Sequence, residues 1–201
     1  MTLAATRLNS LADFAAKRSG VPASNMRPVV EAAFEATLGD RRAWIEATTA
    51  DEVFEDIVSD QVDLAVFIHR LGARLLGNAA DLDLKRLHGW SRRDCACEIY
   101  FSTEIGVGFR LVHGLGAVIG SRHRIGRRFT IYQGATVGHR AAGASGSVIG
   151  DDVTLFAGGS IIGPVTIGDR AVVGAHAVVT RDVGQEVVVA GAPAVPVRAD
   201  R

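Results

Sequence analysis

The chain has 201 residues; its 22 basic and 22 acidic side chains cancel, and 48% of the sequence is hydrophobic. That length can bury a proper core in one or two domains, and the balanced charge gives no reason to expect nucleic acid or a membrane surface as partner. No leader pattern opens the sequence and no apolar run approaches the ~18 residues of a membrane span, so a cytoplasmic protein is expected. All basic residues but Lys17 and Lys85 are arginines, which reads as compositional bias. Cys95 and Cys97 lie too close together, and are too few, for a disulfide framework or a four-cysteine zinc site, and are expected to be buried small residues.

The first half reads as helices. Leu3, Leu8, Leu11 and Phe14 share a face that stops at Gly20-Val21-Pro22. A second helix is expected from Asn25 to Leu38-Gly39, with Pro28 in its first turn, and a third from Asp40 to Thr48, carrying Trp44 and Ile45. A longer stripe, Phe54, Ile57, Val58, Val62, Ala65, Ile68 and Leu71, predicts one helix capped by Asp51 and ending near Gly77-Asn78. A shorter helix, Leu82 to Trp90, follows. Core packing accounts for these stripes without any ligand.

Near residue 94 the composition changes to glycine, valine and isoleucine, and the period changes with it. Aliphatic residues recur every six positions at Ile119, Ile125, Ile131 and Val137, and again at Ile149, Leu155, Ile161, Ile167, Val173 and Val179. Glycine often follows at once: Gly120, Gly126, Gly138, Gly150, Gly168, Gly174. Small or β-branched residues stand four places on, as at Ala135, Val153, Ala171 and Ala177. Six fits neither the 3.6 of an α-helix nor a simple strand alternation. It fits one side of a triangular coil, with three sides per turn and the aliphatic column stacked inside. The fold expected is therefore α+β: a helical domain over 1–93, a parallel β-helix of hexapeptide repeats over 94–189 and a tail over 190–201.

Two places break the period. Val137 to Ile149 is twelve residues, with Gly143 where the column needs an aliphatic; one side of the prism is expected to have become an outward loop. Leu111 to Ile119 is eight, so two extra residues bulge at Val112-His113-Gly114. A bulge re-aims a side chain, and the glycines at 114 and 116 let a ligand approach the backbone. His113 is expected to be presented to solvent.

At these residues the chain resembles the serine acetyltransferases, hexapeptide-repeat acyltransferases with a left-handed parallel β-helix. The resemblance runs from about Val62 to Arg198. It is carried by FIHRLGARLL, CEIYFSTEIGVGFRLVHGLGAVIG, the loop opening ATVGH, the repeats from IGDDVTLFAGG onward and the tail VVVAGAPA. It implies that His113 is the general base and that Glu98, fifteen residues earlier and standing where the family usually has Asp, orients its ring. It implies acetyl-CoA as acyl donor, lying between neighbouring prisms of a homotrimer or dimer of trimers, with Gly138, Ala157, Gly158, Ala175, Gly191 and Pro193 along the CoA groove. No metal is implied.

The departures concern the acceptor. The resemblance places an acidic residue where Val112 stands, a basic residue and a histidine at Ser145 and Gly146, and a further acidic residue near Ala47. Each lost charge-assisted contact is worth about 1.5–3 kcal/mol. Either the acceptor is not free serine, or His123, His139, Arg140 or Arg122 replaces what is missing; His123 fills a slot where the repeat wants a small residue. The tail ends Arg198-Ala199-Asp200-Arg201, without the isoleucine by which family members dock onto the sulfhydrylase of cysteine synthesis, so that partnership is not expected. The resulting expectation is an acetyl-CoA-dependent O-acetyltransferase for the hydroxyl of serine or a serine-like metabolite. Alternatives are the same chemistry on a sugar or specialised-metabolite hydroxyl, or a non-catalytic trimeric scaffold. A zinc-dependent β-helix carbonic anhydrase fits poorly, because histidines 113, 123, 139 and 176 include no closely spaced pair.

Overall fold

The computed structural model describes residues 3–77 and 79–197, and its helical half holds five helices. α1 (Ala5–Ser19) ends where expected: Gly20 turns left-handed at φ 77° and returns its N–H to the Ala16 carbonyl. α2 (Ala23–Arg42) starts two residues early, carries Pro28 in its second turn and absorbs the start of the expected third helix. Residues 43–48 are not helical. Asp40 is tied to Arg70, and the Trp44 indole N–H donates to the Gly108 carbonyl, drawing the chain off its axis. The long stripe is two helices, α3 (Ala50–Ser59) and α4 (Gln61–Leu75), broken at Asp60. Asp60 is extended, and its carboxylate accepts the N–H groups of Val62 and Asp63, so it caps a new helix while the stripe still buries Ile57, Ile68 and Leu71. Thr49, not Asp51, caps α3, through a reciprocal box with Glu52. α4 stops at Leu75; Asn78 lies outside the described residues. α5 (Asp81–Cys95) runs past Trp90, so the boundary expected at 93/94 falls inside its last turn. Both cysteines are buried, which pushes their thiols up.

The second half is the expected parallel β-helix. Its first sheet stacks β1 (Glu98–Ile99), β4 (Val118–Ile119), β7 (Thr136–Gly138), β10 (Ser160–Ile162) and β13 (Val178–Val179). The second stacks β2 (Glu104–Ile105), β5 (Arg124–Ile125), β8 (Val148–Ile149) and β11 (Thr166–Ile167). The third stacks β3 (Arg110–Val112), β6 (Thr130–Tyr132), β9 (Thr154–Leu155), β12 (Val172–Val173) and β14 (Val188–Ala190), closed by antiparallel β15 (Val195–Pro196). The whole aliphatic column from Ile99 to Val179 points inward and is buried. Each coil thus hides a stripe that no single coil could bury alone.

Register corrects the reading of the loop. Along the first sheet Glu98 pairs with Val118, Val118 with Thr136, Thr136 with Ser160 and Ser160 with Val178, so successive coils hold 20, 18, 24 and 18 residues. The 24-residue coil keeps all three sides, β7, β8 and β9. No side was lost; six residues were added at the corner between the first and second sheets. The 20-residue coil carries its two extra residues at the corner between the third and first sheets, beside His113. The segment expected as a tail from residue 190 is partly ordered β-structure: β14 includes Ala190, Val178 N–H donates to the Gly191 carbonyl, and Ala194 N–H to that of Val178. Arg198 to Arg201, on which the docking expectation rests, lie outside the described residues.

One buried ion pair joins the halves. Arg70 of α4 grips both Asp40 carboxylate oxygens at 2.8 Å and donates to the Ile105 and Gly106 carbonyls, while Asp40 also accepts from Gly108 and Phe109 N–H. With both carboxylate oxygens bonded and four guanidinium N–H groups donating, the pair fixes how the helices cap the first coil. Gly72 lets Phe101 lie against α4; a Cβ there would stand 2.4 Å from the ring.

Candidate functional site

His113 opens the corner between β3 and β4. Other corners turn on a single left-handed residue, such as Arg122, Arg128 or Gly134, but here His113, Gly114 and Gly116 all have φ between 61° and 73°. The glycines make that run tolerable, and the extra length throws the histidine outward. Its side chain is exposed, its carbonyl accepts from Leu115 N–H, and among the described residues its ring makes no hydrogen bond. An imidazole with both nitrogens free at a solvent-facing corner can take up and return a proton.

Glu98 stands at the same corner: the chain leaves the bulge into Val118, which pairs with Glu98, and Glu98 N–H donates to the Ala117 carbonyl. The carboxylate, however, is held by Arg92 of α5 at 2.6 Å through Oε1. One Glu98 oxygen is therefore engaged by a cation, and Oε2 alone remains for His113. His88, one turn earlier on α5, stacks on Phe101 at 4.0 Å, its basicity lowered first by burial and then supported by Glu98. Sequence reasoning missed Arg92 and His88, because nothing in the repeat marks which helix residues will lean over the first coil.

The residues expected along the CoA groove do not form one column. Ala157 and Gly158 follow β9 and Ala175 follows β12, at the corner that His113 occupies two and three coils up, and Ala175 is exposed. The His176 ring lies over Gly158, where a Cβ would meet it at 2.5 Å. Gly138 ends β7 on the far side of the first sheet, beside Ile162. Exposed Gly191 and Pro193 sit under the lowest coil, with the tail paired to Val178.

The four side chains considered as replacements for lost acceptor contacts are engaged elsewhere, at the corner between the first and second sheets. His123 is fully buried, and its Nδ1 accepts from Ser147 N–H at 2.9 Å. It is the middle rung of a ladder in which each side chain accepts from the next coil's backbone: His123 N–H to Thr103 Oγ1, Ser147 N–H to His123, Val165 N–H to Ser147 Oγ. Burial, then His139 and Arg122, push its pKa down to about 4. His139 stacks on it with centroids 4.6 Å apart, and its ring nitrogens face the Ser121 and Ser145 carbonyls. Arg140 donates to the Thr180 carbonyl, and Arg122 to that of Ala144. The added loop is fastened down by these groups. Val112, half-buried, is in register with Tyr132.

A cavity of about 390 Å³ opens elsewhere, between α2, α4 and β3, lined among others by Asp40, Trp44, Asp63 and Arg110. Most of its polar groups are matched within the chain (Arg41 with Asp63, Asp40 with Arg70, Trp44 with Gly108), and Arg110 lies over the Trp44 ring, 5.1 Å from its centroid. Among the described residues no group of three His, Cys, Asp or Glu is placed to hold a metal ion, and no helix is long and apolar enough to cross a membrane.

Comparison with known proteins agrees with this fold. The family described as "Bacterial transferase hexapeptide (six repeats)" matches residues 146–181. A serine acetyltransferase of Mycobacterium tuberculosis is 35% identical over 132 residues, 65% of this chain and 55% of that protein. One of Bacillus subtilis is 31% identical over 146 residues, 72% of this chain and 67% of its own length. The matched stretch thus spans a little over half to about two thirds of these relatives. Among solved structures, soybean serine acetyltransferase complexed with serine superposes with a TM-score of 0.72 at 29% identity, covering 85% of this chain and 70% of that one.

Proposed function

The chain belongs to the serine acetyltransferase family, and from that premise we propose that it is an acetyl-CoA-dependent O-acetyltransferase in which His113 is the general base. The observation that carries this reading is the free, outward His113 ring on a glycine-rich bulge that also brings Glu98 to the same corner. His113 removes the acceptor's hydroxyl proton as the oxygen attacks the thioester carbonyl. Glu98, through the oxygen that Arg92 leaves free, steadies the ring and the charge it gains. Backbone N–H groups of the glycine-rich turns face the developing oxyanion. The tetrahedral intermediate collapses, the C–S bond breaks, and the proton passes from His113 to the CoA thiolate.

The donor arm fits along the small-residue strip Ala157–Gly158 and Ala175 below His113, beside the His176 ring. The half-buried apolar residues on the outer faces near this corner, among them Val118 and Val172, suit contact with a second prism. A homotrimer completing the groove is the assembly proposed. Serine, the acceptor in the relatives' names and the ligand of the soybean structure, is the first acceptor to test. A second reading keeps the chemistry with another hydroxyl acceptor, and a specific observation favours it: the positions expected to hold serine's charges are Val112, Ser145 and Gly146, and His123, His139 and Arg140 are occupied with the loop. The test is CoA thiol release from acetyl-CoA with L-serine, homoserine and a panel of hydroxylated acceptors, comparing wild type with His113→Ala. Release that ignores the substitution overturns the mechanism.

A further inference from the structure

The outer face below His113 carries large side chains on successive coils, where the second sheet carries glycine. After an inward aliphatic the repeat places glycine at Gly120, Gly126, Gly138, Gly150, Gly168 and Gly174, which keeps the prism's outside flat. In the third sheet the same position is Val112, Tyr132 and Phe156 on three successive coils, before Gly174 restores the flat surface. The Tyr132 and Phe156 rings stack with centroids 4.9 Å apart and planes 25° off parallel. They do not fill the core, because Ile131 and Leu155 already point inward beside them.

Phe156 is 37% exposed, and Leu115, on the other flank of His113, 54%. Adjacent strands lie about 4.8 Å apart, so Tyr132 stands one strand from Val112, the residue before the base. Gln133, which follows Tyr132, has its side-chain oxygen buried with no hydrogen-bond partner among the described residues. A native structure seldom leaves a buried amide oxygen unmatched, and one beside a site signals a missing donor.

We propose that the Tyr132–Phe156 ledge is the acceptor platform: the hydroxyl brought to His113 belongs to an uncharged molecule with a planar apolar ring, an aryl or heteroaryl alcohol, which lies on the ledge; a ring N–H, where the acceptor carries one, donates to Gln133. This rests on the acyl-transfer reading and adds the acceptor class to it. Aromatic rings bind flat apolar bodies by stacking and area burial, which needs none of the charges missing at Val112, Ser145 and Gly146. The bonds balance as before: the alcohol O–H gives its proton to His113, a C–O bond forms at the thioester carbonyl, the C–S bond breaks, and the thiolate takes the proton. The products are an acetate ester and CoA thiol.

The experiment measures His113-dependent thiol release with 2-phenylethanol, indole-3-ethanol and L-serine for wild type, Phe156→Ala and Phe156→Leu, with light scattering of each protein. The expected result is a kcat/KM for the aryl alcohols at least tenfold above that for L-serine. Phe156→Ala should remove at least tenfold of it through acceptor KM, leaving acetyl-CoA KM within twofold. Phe156→Leu keeps the apolar bulk and the fold, and should lose most of the same preference. A preference for L-serine untouched by either substitution overturns this inference and leaves acyl transfer standing. Variants that lose their oligomer while keeping acceptor KM make the ledge a subunit contact and overturn it too. No His113-dependent release with any of the three alcohols, nor with the wider hydroxyl panel, overturns the acyl-transfer reading and this inference with it.

Discussion

Two corners of the same prism carry added residues and a histidine, and they have opposite characters. At the third-to-first corner two extra residues leave the His113 ring exposed and unbonded. At the first-to-second corner six extra residues come with His123 and His139, whose rings face one another and bond the loop's own backbone. An insertion in a solenoid is therefore not by itself a site. What separates the two is hydrogen-bonding capacity: one histidine keeps both nitrogens available, while the others hold chain in place.

The largest expected effect tests the open corner. His113→Ala should lower turnover by about 10²–10⁴, the usual size of a general-base contribution, with no change in thermal midpoint because the exposed ring supports nothing. Single-turnover kinetics beside a calorimetric scan checks both halves. A variant that unfolds instead would make the two corners alike.

The fastened corner should answer the other way. His123→Ala empties a fully buried slot and leaves the Ser147 N–H without an acceptor, at a cost of about 3 kcal/mol. Denaturant titration measures it. The residual folded fraction, assayed at low temperature, should keep its turnover per site, since His123 faces neither the bulge nor Glu98 in any bond the structure shows.

How much of this contrast was readable beforehand follows from what a period can encode. The six-residue column and its glycines state burial directly, so the coils from Ile119 onward were legible, and the eight-residue step placed His113 outside. The twelve-residue gap was ambiguous: counting by six cannot tell a lost side from an enlarged corner, and only the pairing of Thr136 with Ser160 decides. The phase of Ser147 was hidden for the same reason, so His123 looked like a misfit in a small slot and not a rung between Thr103 and Ser147. In the helical half Asp60 ended one helix and began another without disturbing the apolar stripe, which left no trace in the pattern. Arg92 reaches Glu98 across an element boundary, and local sequence carries no record of such a contact.

Acid should sharpen the comparison further. His123, pushed down to about 4, is neutral in the fold, whereas in the unfolded chain it takes a proton below about 6.5. The unfolded state then binds more protons, so stability is full above about pH 6.5 and falls as pH drops toward 4. His69, pushed to about 3 by burial, acts in the same direction. Asp63 opposes both: burial raises it to about 6, so the folded state holds the extra proton between about pH 4 and 6, and its contribution falls as pH rises through that window. The His123 share is isolated with His123→Asn, whose amide oxygen can still accept from Ser147 without titrating. The stability gap between wild type and this variant should move by about 2 kcal/mol in the variant's favour between pH 7 and pH 5. An unchanged gap would mean that His123 is not held neutral.

The smallest effect bears on what fastening the loop is for. The His139 ring is half-buried against His123 and makes a 2.7 Å contact with the Ser121 carbonyl and a longer one, 3.2 Å, with that of Ser145. Removing it with His139→Ala loses one good hydrogen bond and a stacked face, about 1 kcal/mol, because water can reach the exposed side and replace part of each. Amide exchange should quicken across 139–147 and stay slow in β7 and β8, which are held by their own sheets. Gly146 marks how tight the fastening is: a Cβ there would lie 1.8 Å from the Arg122 carbonyl, so the loop cannot shift inward to compensate and must loosen outward. Acceptor KM should hold within twofold. If KM rises while exchange stays slow, His139 belongs to the acceptor after all, and the two corners share one site across neighbouring subunits.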